Sequence, residues 1–323
     1  MKPVRGPGSP VNPLPSTART GVPREAVDAP SAFVWMACSA VLFATMNYLV
    51  RRASAEVPWQ LVGMSRALIG ALVAFGVARI RGSSLTVNDK PAMWLRSAFG
   101  TTAMAFTFWA LADGGLGLGD TTTLLNLAPV VIAVLGPLVL RERAGRTLPY
   151  ALVLSLVGVV LIMRPAFVFG GAALSPRAMR TAVLALVAAS SSGCAMLALR
   201  RVGRSESAEA ISVHFSLTAA AALLVLSLPH LMVPSGKDAI YTLLAGVCGG
   251  LAQLAMTRAY ALARAARVAA VGYLAVVVSA LYGSFALGEA PRATAALGMV
   301  IVIAGGLTIA LPAFRSPRHA PRT

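Results

Sequence analysis

The segment LRER at Leu140–Arg143, followed by LVGVVLIMRP at Leu156–Pro165, returns later in the chain. It reappears as LGEA at Leu287–Ala290 followed by IAGGLTIALP at Ile303–Pro312. The pairs Leu140/Leu287, Glu142/Glu289, Gly158/Gly305 and Pro165/Pro312, with Gly136/Gly283, all stand 147 positions apart. Arg51-Arg52 precedes Arg200-Arg201 by 149, and Trp109-Ala110-Leu111 precedes Tyr260-Ala261-Leu262 by 151. Small changes in loop length produce such drift. The chain therefore reads as a tandem repeat, and its fold follows from what one repeat contains.

Working outward, apolar runs of about 20 residues alternate with short polar connections from Ala32 onward. Each run is long enough to cross a hydrocarbon core of ~30 Å as a helix. The spans are 32–50, 59–78, 92–111, 121–140, 147–164, 181–199, 210–229, 239–257, 268–287 and 293–313. The second contains Arg66, whose insertion costs ~2.5–3.5 kcal/mol at a helix centre, against ~0.3–0.6 kcal/mol returned by each Leu, Ile, Val or Phe around it. The expectation is an all-α integral membrane protein of ten transmembrane helices. Five helices per repeat is an odd number, so the second repeat enters the membrane from the opposite face. That makes two inverted five-helix repeats, at 31–166 and 178–313, an architecture of secondary transporters.

Composition agrees. Of 323 residues, 57% are hydrophobic and 12% charged, about half the charge of a soluble domain. Mean hydropathy is +0.76. The net charge of +17 would suggest nucleic-acid binding on a soluble protein, but here the cations sort by face. With the N-terminus in the cytoplasm, 20 of the 28 Lys and Arg fall inside, Arg96 among them; seven fall outside and Arg66 lies within a span. The bias predicts cytoplasmic termini in a multi-pass inner-membrane protein, with no nucleic-acid partner. Arg51-Arg52 and Arg164/Arg177/Arg180 stand on the wrong face. Residues 1–30 hold seven prolines and no apolar run, so they read as a disordered cytoplasmic tail rather than a signal peptide. Residues 314–323 read as a second cytoplasmic tail.

The residues quoted above, together with Leu127-Ala128-Pro129 and Arg66, resemble the EamA-type branch of the drug/metabolite transporter superfamily over residues 32–313. The second repeat departs from the pattern at Val276, where the first has Pro129. The resemblance implies a central cavity that takes up or exports a small metabolite, with the lipid bilayer and a small-molecule substrate as partners.

Candidate substrate contacts are polar or aromatic side chains within spans. Arg66 is suited to a carboxylate or phosphate. Asn47, Asn126 and Gln253 are amides that line a cavity or bond between helices. Trp109, Tyr273 and Tyr282 suit stacking, and His214 suits proton transfer. No acid falls mid-span, which disfavours a carboxylate relay. Glu142 and Glu289 stand at equivalent helix ends, where they pair with arginines or serve in gating. Cys38, Cys194 and Cys248 lack metal-ligand spacing, so neither metal nor cofactor is expected. Gly117-Leu118-Gly119-Asp120 matches the GxGD string of intramembrane aspartyl proteases, but that chemistry needs a second aspartate and no span supplies one. Asp120 reads instead as an N-cap for the fourth helix. No catalytic residue is expected. The competing class is an integral membrane enzyme acting on lipid or a membrane-embedded substrate.

Overall fold

The computed structural model describes residues 29–140, 148–163, 174–203, 205–234, 236–262, 268, 271–289 and 291–315. Most of the two expected tails, and Glu142, Arg164 and Pro165, lie outside them. The described residues form helices α1 (Ala29–Ala53), α2 (Trp59–Arg81), α3 (Lys90–Asp113), α4 (Leu118–Leu125), α5 (Ala128–Leu140) and α6 (Leu148–Met163). The later part of the chain adds α7 (Pro176–Val202), α8 (Ala208–Ser227), α9 (Gly236–Leu262), α10 (Leu274–Ala286) and α11 (Ala293–Arg315). No strand occurs among the described residues.

Local chemistry sets the helix ends. Asp89 accepts from the Ala92 N–H to cap α3, with Pro91 in the first turn. Ser175 caps α7 by accepting from Ala178 N–H, and Ser207 caps α8 by accepting from Ala210 N–H. Gly82 (φ 66°) and Gly114 (φ 62°) end α2 and α3 in the left-handed conformation that a Cβ disfavours.

The fourth expected span is two helices. A turn at Asn126–Leu127 separates α4 from α5. Pro129 brings no N–H to the first turn of α5 and disfavours helical geometry at the residue before it. The Asn126 side chain also donates to the Thr122 carbonyl at 2.8 Å, closing the end of α4. A second turn falls at Tyr273, ahead of α10. It stands 147 positions after Asn126, although no proline follows it.

Six helical stretches are long and apolar enough to cross a membrane: Ser31–Ala53, Trp59–Arg81, Leu118–Gly136, Pro176–Leu199, Ala208–His230 and Gly236–Tyr260. Leu274–Ala286 and Ala293–Gly305 are shorter apolar helices. The outer surface is apolar as well, with Ile80, Leu138, Phe285 and Val233 largely exposed. Water does not favour such a surface, and hydrocarbon does.

The dominant packing pairs are α1 with α9, α3 with α7, α2 with α8, and α6 with α11. Further contacts join α2 to α9, α3 to α8, α1 to α10, and α4 and α5 to α7. Small residues allow the closest approaches. At the α6–α11 crossing, a methyl on Gly298 would lie 2.7 Å from the Gly158 carbonyl oxygen. Val50, Val62, Leu111, Leu118 and Leu223 fill one fully buried cluster, and Leu124, Tyr273, Val276 and Val302 belong to another.

Candidate functional site

Between these helix pairs lies a cavity of about 240 Å³, walled by α1, α2, α3 and α5, by α7, α8 and α9, and by the end of α4 and the start of α10. Four of the eight expected contacts stand on its wall: Asn47, Arg66, Asn126 and Gln253. Arg96 joins them. The charge count placed it among cytoplasmic cations, but it is only 3% exposed, as is Arg66. Its position on the inward face of α3, beside Phe215, overrides its nearness to the helix end.

The two guanidinium groups share the Phe215 ring. The Arg96 guanidinium carbon lies 4.3 Å from the ring centroid and that of Arg66 5.9 Å. Arg66 donates through Nη2 to the Gly249 carbonyl at 3.2 Å and through Nη1 to the Met104 sulfur at 3.3 Å. Arg66 Nε, Arg96 Nε and Arg96 Nη1 have no hydrogen-bond partner among the described residues. Among the described residues, neither arginine is in an ion pair and no acid lines the cavity. Holding an unpaired ion away from water costs several kcal/mol.

The backbone is notched to admit these groups. A methyl at Gly249 would come within 2.6 Å of Arg66 Nε, and one at Gly100 would overlap Arg96 Nη1 and the Phe215 ring. Gly100 and Gly249 stand 149 positions apart, the separation of Arg51-Arg52 from Arg200-Arg201. Arg66 and Phe215 share that separation. This spacing was the one sequence signal able to point to the pair of notches.

The other four expected contacts lie off the cavity wall. Trp109 stacks on Trp59 at 5.7 Å and borders a shallow outer hollow. His214 Nδ1 and Ser97 Oγ are hydrogen-bonded at 2.9 Å, and Trp94 meets the imidazole in a T-shaped contact. Tyr273 is buried at the turn before α10, where its neighbours Gly272 and Ala275 reach the cavity. Tyr282 stacks on Tyr48 at 4.9 Å, and its hydroxyl is bonded to Thr45 Oγ1.

A second cavity of about 550 Å³ is ringed by Arg51, Asp120, Glu289 and Arg292. Arg51 donates to Glu289 at 2.5 Å and to the Leu116 carbonyl at 3.0 Å. Glu289 also accepts from the Leu118 N–H at 2.7 Å. The expected N-cap is corrected accordingly: α4 begins at Leu118, Asp120 lies in its first turn, and a carboxylate from the α10–α11 connection receives the free N–H. Nearby, Asp113 accepts from Arg180 and from Thr181 Oγ1, while Arg177 Nε donates to the Asp113 carbonyl at 2.6 Å.

At the opposite helix ends, Glu206 accepts from the Asn88 N–H at 2.8 Å and the Asp89 N–H at 3.1 Å. Those backbone bonds, that from Asp89 foremost, hold its carboxyl below the ordinary glutamate range. Asp89, bonded by Arg201 at 2.8 Å, is lowered for that reason first. Glu209 accepts from Arg258 at 3.1 Å.

Residues 30–164 and 179–311 each match the EamA-like transporter family. The chain belongs to that family. The pseudopaline exporter CntI of Pseudomonas aeruginosa is 29% identical over 264 residues, which cover 81% of this chain and 90% of the relative. The riboflavin transporter of Vibrio cholerae is 26% identical, covering 84% and 89%. One solved crystal structure superposes with a TM-score of 0.65 at 21% identity, over 88% of this chain and 98% of the other. It attests the fold alone. The chain is thus a membrane transporter of the drug/metabolite type, not an enzyme.

Proposed function

We propose that the chain is a secondary transporter that moves a small organic metabolite by alternating access, built as ten spans in two inverted five-helix repeats. The observation that carries this reading is the packing pattern. Exchange the halves, so that α1 stands for α7, α2 for α8, α3 for α9 and α6 for α11. The pairs α1–α9 and α3–α7 then interchange, and α2–α8 and α6–α11 map onto themselves. Turns at Asn126–Leu127 and Tyr273 fall at matching positions. A cavity at the meeting point of such halves can open to either face by rocking one against the other.

Asn47, Arg66, Asn126 and Gln253 are the substrate contacts in this reading, and Trp109, His214, Tyr273 and Tyr282 support the surrounding helices. Both termini face the cytoplasm of a bacterial inner-membrane protein. The cation bias supports this, and the discordant arginines weaken it less than their number suggests. Arg51, Arg177 and Arg180 are tied to Glu289 and Asp113, so their place is set by protein partners.

The test is flux in vesicles reconstituted with the purified full chain. Accumulation of an unmodified solute, absent from empty vesicles, is the expected result. Chemical conversion of a solute without its movement would overturn the reading.

A further inference from the structure

Resting on that transport reading, we propose that the cargo of the central cavity is a small organic oxyanion, bearing carboxylate or phosphate, held by Arg66 and Arg96 beside the ring of Phe215. Both arginines are 3% exposed, and three of their guanidinium nitrogens are buried without a hydrogen-bond partner among the described residues. The acids that pair with arginines among the described residues are engaged elsewhere. Glu289 holds Arg51, Asp113 holds Arg180, Asp89 holds Arg201 and Glu209 holds Arg258. Among the described residues no acidic side chain on the cavity wall is placed to neutralise the two charges, which points to a visiting anion as the neutralising group.

The geometry suits an oxyanion in particular. Guanidinium groups present their N–H bonds in the plane of the group, in a fork that matches carboxylate and phosphate. An aromatic ring shields one face of such a group without using those donors. The notches at Gly100 and Gly249 admit both groups within the helix packing, which distinguishes a built site from arginines pressed inward by chance. The size of the cargo is bounded by the space. The cavity of about 240 Å³ corresponds to roughly eight waters at ~30 Å³ each. Amides of Asn47, Asn126 and Gln253 remain for the polar remainder of the molecule.

The experiment uses full-length protein, both in detergent and in vesicles, with an equimolar mixture of succinate, citrate, glycerol 3-phosphate, succinamide and putrescine. Lumenal contents are read by mass spectrometry, and binding of each solute by thermal stabilisation. Wild type is compared with Arg66→Gln, Arg96→Gln and the two Arg→Lys variants, each checked for a monodisperse elution profile. Expected are binding and accumulation of anions only, reduced about tenfold or more by either Gln variant and partly kept by Lys. Succinate and glycerol 3-phosphate separate the carboxylate and phosphate forms of the cargo. Accumulation of succinamide or putrescine, unchanged in the Gln variants, would overturn the oxyanion assignment and leave transport standing. Anion binding lost in the Gln variants, without flux of any solute, would keep the site and end the transport reading. Neither binding nor flux of any anion overturns the assignment.

Discussion

Arg51 at the end of α1 and Glu289 in the connection before α11 meet at 2.5 Å across 238 positions of sequence. The other oxygen of Glu289 receives the first N–H of α4. One carboxylate therefore binds three elements, and their side chains are mostly shielded, with exposures of 13% and 26%. Exposed pairs contribute below about 1 kcal/mol and breaking buried ones costs about 3–5 kcal/mol. Glu289→Ala is expected to cost about 2 kcal/mol, between those limits. Glu289→Gln keeps an acceptor for the Leu118 N–H and costs less. Melting of the purified variants, with Arg51→Ala and the double variant completing a cycle, checks this. Fully additive losses would contradict a direct pair.

Gly249→Ala tests the notch beside Arg66. Its methyl would meet Arg66 Nε at 2.6 Å and the Met46 sulfur at 2.8 Å. Overpacking of this kind costs about 1–3 kcal/mol. A fall in melting temperature accompanied by loss of solute flux is expected. Wild-type flux would show that Arg66 can leave this position without consequence.

Acid should loosen the contact between the α2–α3 and α7–α8 connections. Glu206 and Asp89 both have lowered pKa values, so their contribution is complete above the ordinary carboxylate range and disappears as pH falls through the lowered values. Melting temperature should hold from pH 7 to near pH 5 and drop below it. Glu206→Gln should flatten that drop by removing one titrating group. An identical pH profile in the variant would assign the drop to other carboxylates.

Orientation is open to a direct check. Reporter fusions after Thr323 and in the α7–α8 connection should be cytoplasmic, whereas insertions at Ala55 or Gly115 should report the far side. The opposite pattern would overturn the cytoplasmic placement of the termini.

Much of the helical framework was legible because an apolar run of membrane length has few other uses. The predicted 59–78 and 293–313 lie in α2 and α11, and 181–199 lies within α7. The interruption at Asn126–Leu127 went unread although Pro129 stood beside it. One amide among Leu124, Leu125, Leu127 and Val130 leaves the run apolar enough to cross a membrane, so hydropathy alone shows no break there. Arg96 was misplaced for a related reason. Its sequence neighbours Arg79, Arg81 and Lys90 suggested a charged loop, and only the Phe215 ring and the Gly100 notch, supplied by contacts across the fold, show the side chain turned inward. The amides Asn47, Asn126 and Gln253 line the cavity, while His214 is bonded to Ser97 away from it. Periodicity selects a helix but does not say which of its polar residues face a gap.

Gly100 and Gly249 occupy corresponding places, yet they shelter different things: one makes room for an aromatic ring and a cation, the other for a thioether and a cation. The receptacle is consequently lopsided inside a matched casing. A guest seated there has a head and a tail, and turning it end for end would produce a different fit.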